Sequence, residues 1–308
     1  MASISVIIPS YNRASLLVRA LESVQGQTLD CVEVIVVDDG STDDTASRVS
    51  SFASQCSFPL RYIYQKNSGP AAARNRGIEE ARFPLLAFLD SDDHWQKKKL
   101  ASQVAVLEKR PDILISHTRE RWLRRGVHLN QKKIHQPGDG DIFRHCLQLC
   151  AVGMSTVMAR KELFSEIGLF NEKMRCCEDY DLWLRTSSRY PFLLVDIPLT
   201  IKEGGREDQV SWQYRVGMDV LRIGSILNLM REGALCRGQV VASLQELERK
   251  CLIYGQGCVR HKRIEEGRWY LHTAEWAKTL LDRGPVIPFT VPANPPHLTG
   301  LLVTKTDE

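Results

Sequence analysis

Short apolar runs that alternate with helical periodicity constrain this chain more than any other feature of its sequence. In residues 4–8, Ile4, Val6, Ile7 and Ile8 leave no polar face, and such a strand is buried on both sides. Pro9 ends it. From Ala14 to Gln27, Leu17, Leu21 and Val24 recur at helical spacing with Arg19 and Glu22 between them, as in a helix lying on a sheet. Val32 to Val37 is a second buried run, stopping at Asp38-Asp39-Gly40-Ser41. Thr42 is expected to cap the next helix, with Asp43 and Asp44 in its first turn. A third strand is expected at 60–64. A helix entered through Gly69-Pro70 follows, and proline suits its first position. The fourth apolar run, Ala87-Phe-Leu, ends in Asp90, Asp92 and Asp93. The order β-α-β-α-β-α-β demands right-handed crossovers and a parallel, helix-flanked sheet, an α/β fold. Ligands of such sheets bind outside the carboxyl ends of the strands. Pro9 to Asn12, Asp38-Asp39 and Asp90 to Asp92 should therefore converge on one crevice.

Carboxylates packed a few ångströms apart raise the pKa of one of them or call for a counter-ion. Hard cations such as Mg²⁺ and Mn²⁺ take oxygen ligands, and Mg²⁺ is commonly held by one or two carboxylates with waters and phosphates completing its shell. The Asp90–Asp93 knot therefore reads as a metal held against a diphosphate, or as a turn in which Asp90 and Ser91 cap a helix starting near Gln96. Neither of the usual glycine-rich phosphate cradles follows strand one, which leaves the phosphates to a metal. A second acidic point is Glu178-Asp-Tyr-Asp-Leu-Trp-Leu-Arg185. Leu182, Trp183 and Leu184 should be buried on a helix whose first turn carries Glu178, Asp179 and Asp181. Acids favour a helix N-terminus in any case.

The 308 residues suffice for one large or two small domains. A net charge of +4 is too small to make nucleic acid the main partner. Arg119, Arg121, Arg124, Arg125, Lys132 and Lys133 crowd one segment, suited to an anionic membrane surface, a phosphorylated acceptor or plain solvation. The nine scattered cysteines read as reduced thiols, not a zinc site or a disulfide frame. No signal peptide is read at the start, and no window approaches the ~20 apolar residues of a bilayer span. A cytoplasmic protein is expected, with room for peripheral contact at the inner face of a membrane.

Beyond residue 110 the expectations are a strand near Ile113–Ser116, a hairpin or exposed loop over 119–133 turning at Gly126, and a short helix through Cys150. A strand at 155–159 and a helix from Glu162 to Ile167 follow. Strand-like stretches at 192–195 and 199–201 precede a polar loop, Gly204 to Ser211, suited to moving over a site. Three helices over 212–283 come next, then a loose tail. The expected domains are 1–205, divided into a nucleotide-binding half (1–116) and an acceptor half (117–205), then a helical region (206–285) and the tail (286–308).

Together these segments resemble the inverting glycosyltransferase family 2, GT-A enzymes that use a nucleotide-sugar. The resemblance rests on Val6-Ile-Ile-Pro-Ser-Tyr-Asn-Arg13, Val36-Val-Asp-Asp-Gly-Ser-Thr-Asp43, Asn67-Ser-Gly-Pro-Ala-Ala-Ala-Arg-Asn-Arg-Gly77, Phe88-Leu-Asp-Ser-Asp-Asp93 and the Glu178 octapeptide, in the family's order over roughly residues 3–200. It implies a Rossmann-like, mostly parallel sheet flanked by helices, with a C-terminal helical extension. By this resemblance Pro9, Tyr11 and Asp39 hold the nucleoside, and Arg74 approaches the nucleotide. In the Asp-x-Asp motif, Asp90 contacts the ribose or sugar side, while Asp92 ligates the Mn²⁺ or Mg²⁺ on the diphosphate. Asp179 is the expected catalytic base and Glu178 orients acceptor or base; Asp181 is the rival base and Asp93 a weaker ligand candidate. The donor implied is a nucleotide-sugar, most simply UDP-linked, and the acceptor is a glycan or a lipid-linked acceptor. Two alternatives are a sugar nucleotidyltransferase, whose glycine-rich first loop and activating lysine are missing after strand one, and a non-catalytic nucleotide-sugar binding protein. Many family members place a histidine in the loop that closes over the metal. Here that loop has none, leaving Arg206 for phosphate and Asp208 for metal.

Overall fold

The computed structural model describes residues 3–30, 32–206, 208–214, 217–284 and 289–295. The chain forms two compact units. One comprises Met1–Asp141, Ala151–Glu172 and Tyr190–Gln209, the other Ile142–Cys150, Lys173–Arg189 and Val210–Glu308.

The first unit carries one sheet. Its elements run β1 (Ile4–Ser10), α1 (Ala14–Gln25), β2 (Val32–Asp38), α2 (Thr45–Ala53), β3 (Leu60–Tyr64), α3 (Gly69–Glu80), β4 (Leu85–Phe88), β5 (His94–Trp95), α4 (Lys99–Lys109), β6 (Ile115–Arg124) and β7 (Val127–Leu129). After α5 (Phe143–Gln148), which belongs to the other unit, come β8 (Met158–Arg160) and α6 (Glu162–Ile167). Past α7 (Glu178–Ser187), again in the other unit, β9 (Leu193–Gly204) completes the sheet. The strand order is β3-β2-β1-β4-β8-β6-β9-β5, with β7 paired to β6. The first four strands are parallel, while β8 runs antiparallel to both β4 and β6.

Burial on both faces explains the unbroken apolar runs. Ile4, Val6 and Ile8 share a core with Leu17, Leu21 and Val24 of α1, whereas Ile7 meets α3, where a Cβ on Gly77 would collide with it. Successive residues of a strand point to opposite faces, so each of these side chains, fully buried, contributes roughly 1.5–3 kcal/mol of burial. The polar exceptions satisfy each other. Ser5 Oγ donates to Glu33 Oε1 (2.6 Å), which also accepts the Arg82 N–H, while Ser5 Oγ accepts the Phe83 N–H.

Three local expectations change. Helix α2 starts at Thr45, and Asp43 accepts both the N–H and the hydroxyl of Thr45; Thr42 instead gives its N–H to Asn12 Oδ1, because the loops after β1 and β2 are stitched together. Asp90 and Ser91 cap no helix, since β5 intervenes and α4 begins at Lys99 with no side-chain cap. The stretches at 192–195 and 199–201 are one strand, β9, parallel to β6 with an irregular register between Thr118 and Glu120.

In the second unit, α8 (Val210–Gln213), α9 (Met218–Arg231), α10 (Arg237–Arg260) and α11 (Ile264–Arg283) join α5 and α7. Helices α10 and α11 meet at glycines: a Cβ on Gly267 would sit 2.9 Å from the Gly255 carbonyl oxygen. Residues 289–295 lie on this unit, Phe289 against Trp276 and Asn294 bonded to Arg231. The rest of the expected loose tail, 286–288 and 296–308, lies outside the described residues.

Candidate active site

The carboxyl ends of β1, β2 and β4 lie side by side, since Ser10 is paired with Asp38 and Ile7 with Phe88. Pro9 is the penultimate residue of β1, and Tyr11, just beyond it, is 47% exposed. Asp39 follows β2 and is buried. Its Oδ1 accepts from Gln65 Nε2 (2.7 Å) and the Ser68 N–H (2.9 Å), and its Oδ2 from the Gly69 N–H (2.8 Å). Asp39 therefore supplies from outside the cap that α3 lacks. Burial raises the pKa of Asp39 in spite of these hydrogen bonds. Gly40 turns the chain at φ +85°, and a Cβ there would lie 2.8 Å from the Asn67 nitrogen. Only glycine meets both demands cheaply. Helix α3 then carries the buried Arg74 to Asp90, with Nη2 2.8 Å from Oδ1. Asp39, α3, Arg74 and Asp90 thus form one connected support.

The acidic knot is resolved by guanidinium groups and by the burial of Asp93. Asp92 Oδ2 accepts from Arg13 Nη1 (2.7 Å), Arg206 Nη2 (2.5 Å) and, at 3.3 Å, Gln209 Nε2. Burial works to raise its pKa, but Arg13 and Arg206 outweigh it and hold the carboxyl below the usual range. Asp93 goes the other way. Fully buried and next to Asp92, it is pushed well above the ordinary value by burial and then by its charged neighbour. Ser155 ties the two sides of the turn, accepting the Asp90 N–H at 3.0 Å and donating to Asp93 Oδ2 at 2.7 Å. Its carbonyl takes the Trp95 indole N–H (2.7 Å). Of these groups, Arg13 and Ser155 carry no expected role from the sequence. Arg13 closes the first motif, so a cation at a strand's carboxyl end opposite acids was the available signal; Ser155 offered none.

Among the described residues no group of three or more His, Cys, Asp or Glu side chains is arranged to hold a metal. Asp90 is committed to Arg74, and Asp93 leans to its neutral form. Asp92 is held below the usual carboxylate range, with Arg206 on it from the Gly204–Gln209 loop. These residues fit a cation held jointly by one carboxylate and substrate phosphates, the usual manner of Mg²⁺, and not a cation held by the protein alone. Asp208, the other ligand candidate, forms an ion pair with Arg206 (3.1 Å) and a longer one with Arg13 (3.3 Å).

Glu178 and Asp179 belong to the helical unit, at the start of α7. Cys177 precedes them with φ +61°, a left-handed conformation that costs a non-glycine residue of order 1 kcal/mol. Leu182, Trp183 and Leu184 are buried as expected. Asp179 is partly exposed, its Oδ2 3.1 Å from the Cys150 thiol and its Oδ1 accepting the Tyr180 N–H. Glu178 is buried. So is Asp181, which is engaged by Arg185 at 3.0 Å.

The family model described as Glycosyl transferase family 2 matches residues 5–167. An uncharacterized glycosyltransferase of Rickettsia felis is 40% identical over 190 residues, covering 60% of this chain and 30% of that protein. A Bacillus subtilis protein provisionally named as a teichuronic acid biosynthesis glycosyltransferase, TuaG, is 33% identical over 182 residues, 59% of this chain and 70% of that one. The chain thus spans about a third of the length of the first relatives it matches. Among solved structures, S. aureus TarS 1-349 in complex with UDP-GlcNAc superposes with TM-score 0.64 at 17% identity, covering 95% of each chain. The mannosyltransferase PcManGT of Pyrobaculum calidifontis, in complex with GDP-Man and Mn²⁺, also gives 0.64, at 18% identity over 92% of this chain and 76% of that one. Both share the GT-A arrangement of a sheet flanked by helices. With the match to the family model extending over more than half of its length, the chain belongs to glycosyl transferase family 2.

Proposed function

We propose that this chain transfers a sugar from a nucleotide-sugar, UDP-linked in the simplest case, to a hydroxyl of a glycan or lipid-linked acceptor. The observation that carries the reading is Asp92, an ionised carboxylate at the carboxyl ends of parallel strands, surrounded by Arg13, Arg206 and Gln209. Guanidinium groups hold phosphates as readily as carboxylates, so Arg13 and Arg206 suit the diphosphate of a donor. Pro9, Tyr11 and Asp39 flank the nucleoside, and Arg74 keeps Asp90 aimed at the ribose or sugar side. A divalent cation at Asp92, Mn²⁺ or Mg²⁺, supplies Lewis-acid neutralisation of the leaving diphosphate. The bound nucleotide-sugars of the two structural neighbours support this donor class.

The reaction is a single displacement. The acceptor oxygen forms its bond to the anomeric carbon as the bond from that carbon to the phosphate oxygen breaks. The diphosphate leaves with the electron pair, and the acceptor proton passes to a carboxylate. Asp179 suits that role because it is partly exposed, whereas Asp181 is buried against Arg185; Glu178 orients acceptor or base. Inversion follows from one displacement. The setting proposed is cytoplasmic, with peripheral contact at the inner face of a membrane.

The test is release of nucleoside diphosphate from UDP-sugars in Mn²⁺ by wild type, Asp179→Asn and Asp181→Asn. General-base catalysis is worth about 10²–10⁴-fold, so Asp179→Asn should lose that much turnover while keeping donor affinity. Near-normal turnover in Asp179→Asn together with its loss in Asp181→Asn would reverse the assignment.

A further inference from the structure

A strand ribbon whose side chains touch none of the carboxylates of the donor site, though its turn adjoins the loop that carries Arg206 (Arg125 N–H to the Gly204 carbonyl, 3.3 Å), combines charge and apolar exposure. Strands β6 and β7 pair antiparallel, Trp122 opposite Leu129 and Arg124 opposite Val127. Arg125 (φ +51°) and Gly126 (φ +78°) make the two-residue turn between them, the geometry that matches strand twist. Val127 is 70% exposed, Leu129 42% and Ile134 51%. The Trp122 and His135 rings, 5.2 Å apart, hold the turn Lys133–His135 to the ribbon, which adds Lys133 and Ile134 to the same structure.

The charges on this ribbon are nearly all of one sign. Arg121, Arg124, Arg125, Lys132 and Lys133 are exposed, and among the described residues none of them has a carboxylate partner. Glu120 accepts the Trp122 indole N–H (2.5 Å), while Asp196 pairs with Arg119. Arg124 shares the face of Val127 and Leu129, Arg125 stands in the turn and Lys132 and Lys133 adjoin Ile134, while Arg121 lies on the ribbon's other face; this is more charge beside aliphatic side chains than solvation requires. Single exposed apolar residues are ordinary, but a cluster marks a binding surface.

We infer that the β6–β7 ribbon docks on an anionic phospholipid bilayer. A bilayer takes both halves of this surface: arginine and lysine meet the negative headgroups, and Val127, Leu129 and Ile134 enter the boundary between headgroups and acyl chains. A soluble phosphorylated glycan would use the cations and leave the aliphatic side chains in water. The inference gives the peripheral membrane contact its structural element, and it does not rest on the donor site, so either reading can fail without the other.

The experiment is co-sedimentation of the full chain with large vesicles of phosphatidylcholine alone or with phosphatidylglycerol at about a third of the lipid, at low and high salt. The expected result is binding to the anionic vesicles that weakens as salt rises, with little binding to phosphatidylcholine. In the quadruple variant Arg121→Ser, Arg125→Ser, Lys132→Ser, Lys133→Ser the apparent affinity should fall at least tenfold. The triple variant Val127→Ser, Leu129→Ser, Ile134→Ser should also lose affinity, leaving a weaker interaction that high salt abolishes. These residues are exposed, so both variants should keep the wild-type melting temperature and donor binding. Equal binding to both vesicle types, no binding, or unchanged binding by the quadruple variant would overturn the inference. Anionic binding that the triple variant leaves intact and soluble polyphosphate abolishes would assign the ribbon to a soluble phosphorylated ligand instead.

Discussion

Asp92 shows how like charge is managed at the level of single residues. Its neighbours are disposed of separately, Asp90 to Arg74 and Asp93 toward its protonated form, while Asp92 is met by both Arg13 and Arg206. Arg13→Met removes one of two cations from a mostly buried carboxylate. Complete burial would make that cost ~3–5 kcal/mol; with both side chains keeping some exposure, the expected loss is about 1–3 kcal/mol, read as a drop in the urea midpoint. Asp93 gives a pH test. Its folded pKa is raised, so the folded state binds its proton more tightly than the unfolded chain does. Its contribution is complete below the unfolded value of 3.8 and is lost as pH rises through the folded value. Asp93→Asn cannot ionise, and its melting temperature should therefore gain on wild type as pH is raised from about 4 to 7; a constant difference would contradict the protonated form. The acids themselves were legible in the sequence, because three carboxylates at the end of a β-prone run have few explanations. Which cation meets which acid was not, since Arg13 and Arg206 lie far along the chain from Asp92 and only the folded sheet brings them to it.

At the scale of elements, α3 is the part on which the donor site depends. Asp39 holds its N-terminus, Arg74 projects from its middle, and Gly77 lets it lie directly on β1. Gly77→Ala gains helix propensity of up to ~1 kcal/mol, yet its methyl collides with Ile7. Overpacking costs of about 1–3 kcal/mol outweigh that gain, and because α3 shifts with it, nucleotide affinity should fall as well as stability. Titration calorimetry beside a thermal melt checks both; a more stable Gly77→Ala protein with full affinity would contradict the contact. The alternation of β1 to β4 with their helices was readable because each element is long enough to show its period. Strand β5 is two residues long, β8 three, and β9 pairs with β6 across a register irregularity. Local pattern located β8 to within a few residues and β9 as two stretches but not β5, and the pairing of all three depends on partners far away in sequence.

For the molecule as a whole, stability also reflects a charge placed in its interior. Lys99 is fully buried, donating to the Val157 carbonyl (3.1 Å) with its ammonium nitrogen 4.0 Å from the centre of the Trp95 ring. Burial lowers its pKa well below 10.5, so the unfolded chain binds the proton more tightly and stability rises with pH until both states are neutral. Wild type should gain a few degrees of melting temperature on Lys99→Met between about pH 7 and 10; parallel curves would show that Lys99 titrates normally. The most direct test of the account is a thermal-shift measurement of wild type and Asp92→Asn with UDP- and GDP-sugars in Mn²⁺, in Mg²⁺ and in EDTA. One nucleotide class at about 100 times its Kd should stabilise wild type by about 2.7 kcal/mol, a shift of a few degrees, in the presence of metal. EDTA or Asp92→Asn should remove most of that shift. No shift with any nucleotide, or one unaltered by both EDTA and Asp92→Asn, would contradict a metal-assisted nucleotide-sugar site at Asp92.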